Sequence, residues 1–473
     1  MVLDFSYYTN VFFVLYFWIS RIIIGYFSTV NIYYIHVAYQ KPSMFERKLV
    51  PLITELLNEF RVIYLTGPRQ AGKTTLTKMI AQKSGLEYIS FDNQTILQSA
   101  KNDPIGFINS LHDKKVVLDE FQYIPELIPA IKYASDSLSP GVKGKFLLTG
   151  SADIFRSAKT QEALPGHMAR LELYPLSLSE KFNTDLNIID LLCNGEFNLN
   201  NLTLLTRQEL GSFILQGGYP EVQDKSPRAQ KIWYKSYVEG RLFKDFEALY
   251  HAKGDYRSKL ESLIPYLAGI SGNLLKYSSI SNEIGEHDKV IKSYIEVLEM
   301  MFIIKRVPAY LKNKAKRQAI TMPKLQSIDT GLACSLLGIK NEDQLINSLH
   351  FGGLLENLIY MELLKQNSWS EEKVELLHFR DKYQNEVDIV LERDNHQIIG
   401  VEIKASATVN MHDFKGLIKL AEFNPSKFQY GVIFYSGKEI LPFHQNEIKL
   451  FALPISLFIM SNTKKDDVLQ EKS

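Results

Sequence analysis

The chain contains the octapeptide Gly67-Pro68-Arg69-Gln70-Ala71-Gly72-Lys73-Thr74. This stretch fits the pattern G-x-x-x-x-G-K-[ST], in which glycines let the backbone turn so tightly that its N–H groups point at phosphate oxygens. The helix that follows adds the positive end of its dipole. We expect the Lys73 ammonium to reach the β- and γ-phosphates of ATP and the Thr74 hydroxyl to ligate Mg²⁺. The stretch therefore predicts an ATP site.

Short apolar segments surround this octapeptide at regular intervals. A helical pattern at 44–59 leads into the first segment, and helix-compatible sequence at 75–83 follows the octapeptide. The predicted strands are 62–66, 88–91, 116–118, 145–149 and 170–174. Strands that alternate with helices indicate a parallel sheet with crossover helices, so the predicted fold class is α/β.

Two carboxylates, Asp119 and Glu120, end the apolar segment at 116–118. We expect Asp119 to hold the Mg²⁺ through water and Glu120 to orient and polarise the attacking water, because phosphoryl transfer to water needs both tasks. The next apolar segment ends in Thr149 and Ser151. In the inferred topology its strand lies between the octapeptide strand and the Asp119 strand, so either hydroxyl meets the water or the γ-phosphate. An ordinary strand-end turn is the alternative.

These expectations define the predicted site. The predicted ATP-binding residues are Gly67, Pro68, Arg69, Gln70, Ala71, Gly72, Lys73, Thr74, Thr75 and Asp119, with Thr74 and Asp119 as the Mg²⁺ ligands. The predicted catalytic residues are Lys73, Glu120, Thr149, Ser151 and Arg170. Arg156 is an alternative to Arg170 as an arginine finger, and a surface ion pair is the alternative role for either arginine.

Composition bounds the remaining possibilities. A chain of 473 residues is long enough for about three domains. A net charge of +1 gives no global attraction to nucleic acid or membrane, so any such surface is a local patch. The two cysteines, Cys193 and Cys334, exclude a disulfide scaffold and a cysteine-based zinc site, and they favour a reducing cytoplasm.

The first 43 residues are unlike the rest. Residues 5–39 are apolar and aromatic, but they lack the basic segment and the small-residue cleavage site of a signal peptide. One hypothesis is a membrane anchor at 7–26, although Arg21 lies inside that span at a cost in free energy. The other hypothesis is that translation starts at Met44.

The central part of the chain has three different patterns. A polar, Asn-rich stretch at 183–201 predicts a loop or insertion, and helical sequence follows from 204 to 267. Residues 271–310 predict a winged helix-turn-helix with helices at 278–284 and 288–301, a turn at Gly285 and a wing strand from 303. Its basic side chains are Lys289, Lys292, Lys305, Arg306, Lys312, Lys314, Lys316 and Arg317. They predict either a phosphate-binding strip or a winged helix that only docks on the ATPase core.

Several of these motifs together resemble a prokaryotic AAA-type ATPase family with a C-terminal domain of uncharacterised function. The resemblance runs from Met44 to Ile459 through the segments at 65–75, 118–122, 148–151, 165–170, 174–177, 217–220, 329–332, 386–388 and 401–404. It implies that the chain begins near Met44. Two departures leave the arginine finger open: Gly166 and Arg170 are separated where the family has a Gly-Arg pair, and Lys244-Asp245 stands in place of Arg-Asp.

The pattern from Gly352 onward returns to alternating helices and strands, with strands predicted at 376–380, 387–392, 398–403 and 430–435. The spacing of Glu356, Asp388, Glu402 and Lys404 resembles a restriction-endonuclease-like core. There the acids hold a divalent metal, Mg²⁺ or Mn²⁺, and the lysine orients a water or stabilises phosphate charge. Glu402 and Lys404 are two apart on a strand and therefore share a face. The alternative is a solvated strand face with a cross-strand ion pair.

The predicted architecture is thus a P-loop AAA-type parallel sheet, a helical and winged-helix region, and a restriction-endonuclease-like α/β domain. The predicted boundaries are 1–43, 44–180, 181–267, 268–345, 346–461 and a loose tail at 462–473. The predicted function is Mg²⁺-dependent ATP hydrolysis coupled to binding, and to cleavage, of DNA or another nucleic acid. The alternative is a nucleotide-dependent switch whose C-terminal domain binds a protein partner, and a homo-oligomer is left open.

Overall fold

A computed structural model describes residues 45–139, 141–153, 166, 168–199, 202–250, 256–314 and 322–460. The apolar extension at 1–43 and the tail at 462–473 lie outside these ranges, as do Arg156, Lys316 and Arg317. Within the described ranges, no helix combines the length and apolar character needed to cross a bilayer. The described residues from Arg47 onward form one compact unit.

The N-terminal domain contains a sheet of five parallel strands. They are β1 (Val62–Thr66), β2 (Glu87–Ser90), β3 (Val116–Asp119), β4 (Phe146–Gly150) and β5 (Met168–Glu172). Their order across the sheet is β2-β3-β4-β1-β5, and every neighbouring pair is parallel. The predicted parallel sheet is confirmed, and so is the place of β4 between β1 and β3.

Helices cover both faces of this sheet. They are Val50–Leu56, Lys73–Ser84, Gln94–Asn102, Pro104–Asn109 and Leu127–Asp136, so the helix predicted at 44–59 is shorter than expected. Successive residues of β1 belong to different cores: Val62 and Tyr64 pack in one apolar cluster, and Ile63 and Leu65 in another. Because successive strand side chains point to opposite faces, a strand between two cores must be apolar throughout.

The middle of the chain is mainly helical. Its helices are Leu178–Phe182, Ile188–Asn194, Arg207–Gln216, Pro227–Tyr237, Phe243–Tyr250, Tyr256–Gly269, Tyr277–Ile284, Asp288–Met300, Thr330–Leu336 and Glu342–Ile346. The prediction of a loop at 183–201 was wrong in part, because this stretch contains the Ile188–Asn194 helix. The Asn187 side chain accepts hydrogen bonds from the N–H groups of Ile189 and Asp190. An asparagine that suggested a loop therefore caps a helix.

The predicted pair of helices forms at Tyr277–Ile284 and Asp288–Met300, with Gly285 between them at a φ of 68°. A strand, β6 (Ile304–Val307), follows at the predicted position. It pairs antiparallel with β7 (Lys324–Ser327).

The C-terminal domain contains a mixed sheet of six strands. They are β8 (Val374–Arg380), β9 (Glu386–Arg393), β10 (Ile398–Lys404), β11 (Phe428–Tyr435), β12 (Leu441–Gln445) and β13 (Ile448–Pro454), in the order β12-β13-β11-β10-β9-β8. The helices Phe351–Asn367 and Lys415–Phe423 accompany it. Four strands were predicted. The last two, β12 and β13, were missed; β12 is a half-exposed edge strand interrupted by Pro442.

One helix, Phe351–Asn367, connects the C-terminal domain to the segment that follows the parallel sheet. The buried Glu362 carboxylate accepts hydrogen bonds from the Leu178 N–H at 2.7 Å and from the Lys365 ammonium at 2.9 Å. Lys365 also donates to the Leu176 carbonyl oxygen at 3.0 Å. A single apolar core includes Leu178 together with Ile359 of this helix. The two domains therefore share a packed boundary.

We expect Glu362→Ala to lower the free energy of unfolding by about 3–5 kcal/mol, because it leaves the buried Lys365 charge and the Leu178 N–H without this acceptor. Glu422→Ala is the matched control. Glu422 also pairs with a lysine three positions away on a helix, but both side chains of that pair are about half exposed. The control should cost less than about 1 kcal/mol. Equal losses in urea unfolding would contradict a role for Glu362 in the domain boundary.

Candidate functional site

The octapeptide forms a turn between β1 and the Lys73–Ser84 helix. Gly67 has a φ of 150°, and a Cβ at this position would collide with the Leu173 carbonyl oxygen. Gly72 is the N-terminal cap of the helix with a φ of 96°. Both positions therefore require glycine. The predicted phosphate-binding residues thus lie at the carboxyl end of a central strand and the positive end of a helix.

A buried arginine, Arg47, supports this turn from behind. Its guanidinium donates to the Ala71 and Tyr174 carbonyl oxygens, both at 2.6 Å, and pairs with the Glu180 carboxylate at 2.9 Å. Glu180 in turn accepts from the Ser177 N–H in a capping box. Arg47 was not predicted, because it lies before the first strand and belongs to no recognised motif.

Lys73 is buried, and its ammonium donates to the Gly67 and Pro68 carbonyl oxygens, both at 2.8 Å. Burial lowers the pKa of Lys73 to about 8, and the negative charges of Glu120 and Asp119 only partly oppose this shift. The Lys73 side chain thus folds back, and its ammonium binds carbonyl oxygens of the turn that contains it. A phosphate would offer it a stronger, charged acceptor at the same place.

The Asp119 carboxylate accepts hydrogen bonds from hydroxyl groups of three other segments. Thr74 donates to its Oδ2 at 3.0 Å, Tyr88 donates to the same oxygen, and Thr149 donates to Oδ1. Tyr88 was not predicted; it lies on β2 opposite Val117 of β3. Burial, followed by the bond to Asp119, raises the pKa of Tyr88. The structure therefore brings together Thr74, Asp119 and Thr149 as expected and adds a tyrosine.

Glu120 lies immediately beyond β3, with a φ of 58° that is uncommon for a residue with a side chain. The Gln122 amide donates to the Glu120 carboxylate and to the Ser151 hydroxyl, the latter at 3.0 Å. The Ser151 N–H donates to the amide oxygen of Gln122 at 3.0 Å. Gln122 thus joins two predicted catalytic residues. Its position two residues after Glu120 was the available signal.

The two arginines of the site differ in their partners. Arg69, in the octapeptide, donates to the Tyr123 hydroxyl at 2.8 Å and pairs with Asp245 of the Phe243–Tyr250 helix. Burial opposes its charge, but these two partners raise the pKa of Arg69 overall. Arg170 pairs with the buried Asp153 at 2.5 Å. Its role as an arginine finger stays a prediction.

The four predicted residues of the C-terminal domain lie near one another on the Phe351–Asn367 helix, β9 and β10, in a cluster called the C-terminal pocket below. Asp388 on β9 accepts from the Ile403 N–H of β10 at 3.0 Å, between Glu402 and Lys404. Burial first, and the Asp388 charge second, raise the pKa of Glu356 to about 8 and the pKa of Glu402 well above its usual range. The Lys404 charge opposes this shift at Glu402.

A fifth residue, Lys324 of β7, enters this pocket. Its ammonium is 2.9 Å from Glu356 Oε1 and 3.2 Å from Asp388 Oδ1. In the described part of the chain, no group of three or more His, Cys, Asp or Glu side chains is arranged to hold a metal. The expected second divalent ion therefore does not fit, because two of its predicted ligands already contact an ammonium.

The basic strip predicted after Gly285 is partly neutralised. Arg306 pairs with Glu299 at 2.7 Å, Lys314 pairs with Glu392 at 3.3 Å, and Lys312 lies over the Phe423 ring. Lys289 and Lys292 are exposed on the Asp288–Met300 helix. Among the described residues of the strip, Lys289 and Lys292 are thus exposed to solvent, whereas Arg306 and Lys314 have acidic partners.

Family models divide the chain into three matched regions. Residues 59–182 match a family described as an AAA domain, and residues 207–343 and 351–458 match two domains of unknown function, DUF8612 and DUF4143. The chain carries an AAA-type ATPase domain. The predicted ATP site lies within the first region.

Two curated relatives are uncharacterized proteins, Rv2008c of Mycobacterium tuberculosis and Mb2031c of Mycobacterium bovis. Each is 26% identical over 354 residues, which cover 74% of this chain and 72% of the relative. Among solved structures, the Walker-type ATPase PABY2304 of Pyrococcus abyssi is similar with a TM-score of 0.40 and 16% identity, covering 63% of this chain and 99% of that one. RuvB of Thermotoga maritima has a TM-score of 0.27 and 15% identity, covering 56% and 90%.

The depressed pKa of Lys73 predicts a pH-dependent effect of Lys73→Met on the nucleotide-free protein. Since the folded-state pKa of about 8 lies below the ordinary 10.5, the unfolded chain binds more protons between these values. The contribution of Lys73 to stability therefore rises with pH across this window. The free energy of unfolding of the variant minus that of the parent should fall by about 2–3 kcal/mol from pH 7 to pH 10. Urea unfolding at both pH values measures this difference. A difference that does not change with pH would contradict the lowered pKa of Lys73.

Proposed function

We propose that this protein is a Mg²⁺-dependent ATP hydrolase. The observation that carries the proposal is the convergence of the Thr74 and Thr149 hydroxyls on Asp119, beside the buried ammonium of Lys73. Thr74 and Asp119 would hold Mg²⁺, since a hydroxyl and a carboxylate suit this hard cation. The phosphates would lie against the turn, held by Lys73 and the backbone of the residues Gly67, Pro68, Arg69, Gln70, Ala71, Gly72, Thr74 and Thr75.

Glu120 is the proposed base that orients and polarises the attacking water. The Gln122 amide donates hydrogen bonds to the Glu120 carboxylate and to the hydroxyl of Ser151, which directly follows β4. Mg²⁺, when bound, neutralises charge that develops on the phosphate oxygens. The chain therefore separates the metal-binding carboxylate from the water-orienting carboxylate on adjacent residues.

Glu120→Gln tests this division of roles. The variant should bind ATP with near-parental affinity, because Lys73, Thr74 and Asp119 remain, while its turnover falls by about 10²–10⁴-fold. Glu126→Gln is the control, since Glu126 is an exposed carboxylate in the same segment. Fluorescent-nucleotide binding and phosphate release measure the two quantities. Parental turnover in Glu120→Gln would assign the base to another residue.

We further propose that nucleotide binding biases the arrangement of the later domains. Arg47 connects the Ala71 carbonyl to Glu180, and the neighbouring Leu178 contacts Glu362 of the C-terminal domain. Arg69 forms a second connection, from the octapeptide to Asp245. A nucleotide that prefers one arrangement of these contacts shifts the population toward it. This switch would act on a protein partner or on a second copy of the chain.

Action on DNA or another nucleic acid is the second candidate. It is favoured by the exposed Lys289 and Lys292 on the second helix of a helix pair that is followed by an antiparallel strand pair, as in a winged helix. The C-terminal pocket would then belong to a restriction-endonuclease-like domain. Cleavage is not part of this proposal, because the pocket does not fit a second divalent ion as it stands.

Replacing Lys289 and Lys292 with alanine tests nucleic-acid binding. If both contact phosphate, affinity should fall similarly for all DNA sequences, and the slope of log affinity against log salt should flatten by about two. Lys231→Ala combined with Lys235→Ala is the control, since it removes two exposed lysines from another helix. An unchanged slope in filter binding would leave the winged helix as a docking element.

A further inference from the structure

Lys324 connects two parts of the chain that follow each other in sequence. It is the first residue of β7, in the strand pair that follows the helical region, and its ammonium is almost completely buried. Its two carboxylate partners belong to the C-terminal domain: Glu356 to the Phe351–Asn367 helix and Asp388 to β9. The Gln326 amide also donates to Glu356, at 3.3 Å. The two β7 side chains thus approach the pocket from outside its own domain.

The charges in this pocket require compensation. Two buried glutamates, Glu356 and Glu402, lie close enough to Asp388 that its charge helps to raise the pKa of each, after burial. Burying like charges together is costly unless a cation pairs with them. Lys324 and Lys404 supply two positive charges, and Lys324 makes the two direct ion pairs. The chain therefore neutralises this acidic cluster with its own side chains.

A divalent cation would make competing demands on the same oxygens. Mg²⁺ binds oxygen ligands at about 2.0–2.1 Å, and it needs lone pairs that point at the metal. Glu356 Oε1 and Asp388 Oδ1 instead point at one ammonium, at 2.9 and 3.2 Å. Two cations cannot share these oxygens at such distances without strong repulsion. Lys324 and a divalent ion in this pocket therefore compete for Glu356 Oε1 and Asp388 Oδ1.

Lys324 also lines a cavity of about 320 Å³ between the helical region and the C-terminal sheet. Its wall includes Lys324, and the residues from the two sides include Gly272, Lys276, Arg380 and Glu386. Lys324 thus pairs with the acidic cluster and also forms part of the wall of this cavity.

The geometry assigns to Lys324 the place of a divalent cation: it is a plug, carried by β7, that closes the Glu356–Asp388 pocket to Mg²⁺ and Mn²⁺. The pocket becomes a divalent-cation site when this ammonium is removed. This inference goes beyond the proposed ATPase and requires neither ATP hydrolysis nor nucleic-acid binding. It explains why the acidic residues converge and yet do not form a metal site.

Lys324→Met removes the ammonium and keeps most of the side-chain volume, so it tests the plug directly. The full-length protein is used in an Asp119→Asn background without nucleotide, so that the ATP site contributes no metal binding. We expect the unfolding midpoint of Lys324→Met to rise steadily with the logarithm of MnCl₂ concentration, whereas the Asp119→Asn parent shows no rise. Calorimetric titration with MnCl₂ should show binding only in the Lys324→Met protein.

Lys145→Met is the matched control. Lys145 is also a buried lysine, but its ammonium donates to the Leu111 and His112 carbonyl oxygens at 2.6 and 2.7 Å. This variant should lose stability without gaining any response to MnCl₂. A Mn²⁺ response in Lys145→Met as large as that in Lys324→Met would overturn the assignment.

A second variant keeps the test decisive if Lys324→Met does not fold without metal. Adding Glu356→Gln removes one carboxylate together with the ammonium, so this double variant should fold without metal and lose most of the MnCl₂ response. Three results would overturn the proposal: a Mn²⁺ response in the parent equal to that of Lys324→Met, a folded Lys324→Met with no Mn²⁺ response, or a double variant no more stable than Lys324→Met in metal-free buffer.

Discussion

The contact between the N-terminal and C-terminal domains depends on the hydrogen bonds of the buried Glu362 carboxylate. It accepts from the Leu178 N–H, at the end of the ATPase segment, and from Lys365 on its own helix. A buried charge of this kind is stable only when every partner is in place, so it fixes the geometry around it strictly. The helix that carries Glu362 also carries Glu356, six positions earlier. One rigid element therefore contacts the ATPase segment near one end and lines the C-terminal pocket near the other.

The two polar sites stabilise their buried carboxylates in opposite ways. At the ATP site, Asp119 is satisfied by the neutral hydroxyls of Thr74, Tyr88 and Thr149. Hydroxyl donors form hydrogen bonds with a carboxylate but bring no positive charge to it. In the C-terminal pocket, the Lys324 ammonium neutralises Glu356 and Asp388 directly. The carboxylate of the first site thus accepts from hydroxyls, whereas the carboxylates of the second are paired with a cationic side chain.

Much of the ATP site could be predicted from the sequence because its requirements are local. Gly67 and Gly72 adopt backbone conformations that disfavour other residues, and the helix begins directly after them. Asp119 and Glu120 end an apolar strand, and parallel strands place their carboxyl ends at one edge of the sheet. The four C-terminal strands β8 to β11 were also predicted from their apolar patterns, whereas β13 and the edge strand β12 were missed.

The sequence by itself thus determined the octapeptide turn, the parallel sheet and the two acidic residues at its edge, since adjacent residues impose these features through backbone geometry and strand periodicity. Only the tertiary structure decided which distant side chains complete each site. Lys324 and Asp388 are 64 positions apart, and Arg69 and Asp245 are 176 apart. No local pattern marks such partners, because a lysine or an aspartate is compatible with many exposed positions. Their pairing arises only when packing excludes water and makes an uncompensated charge costly.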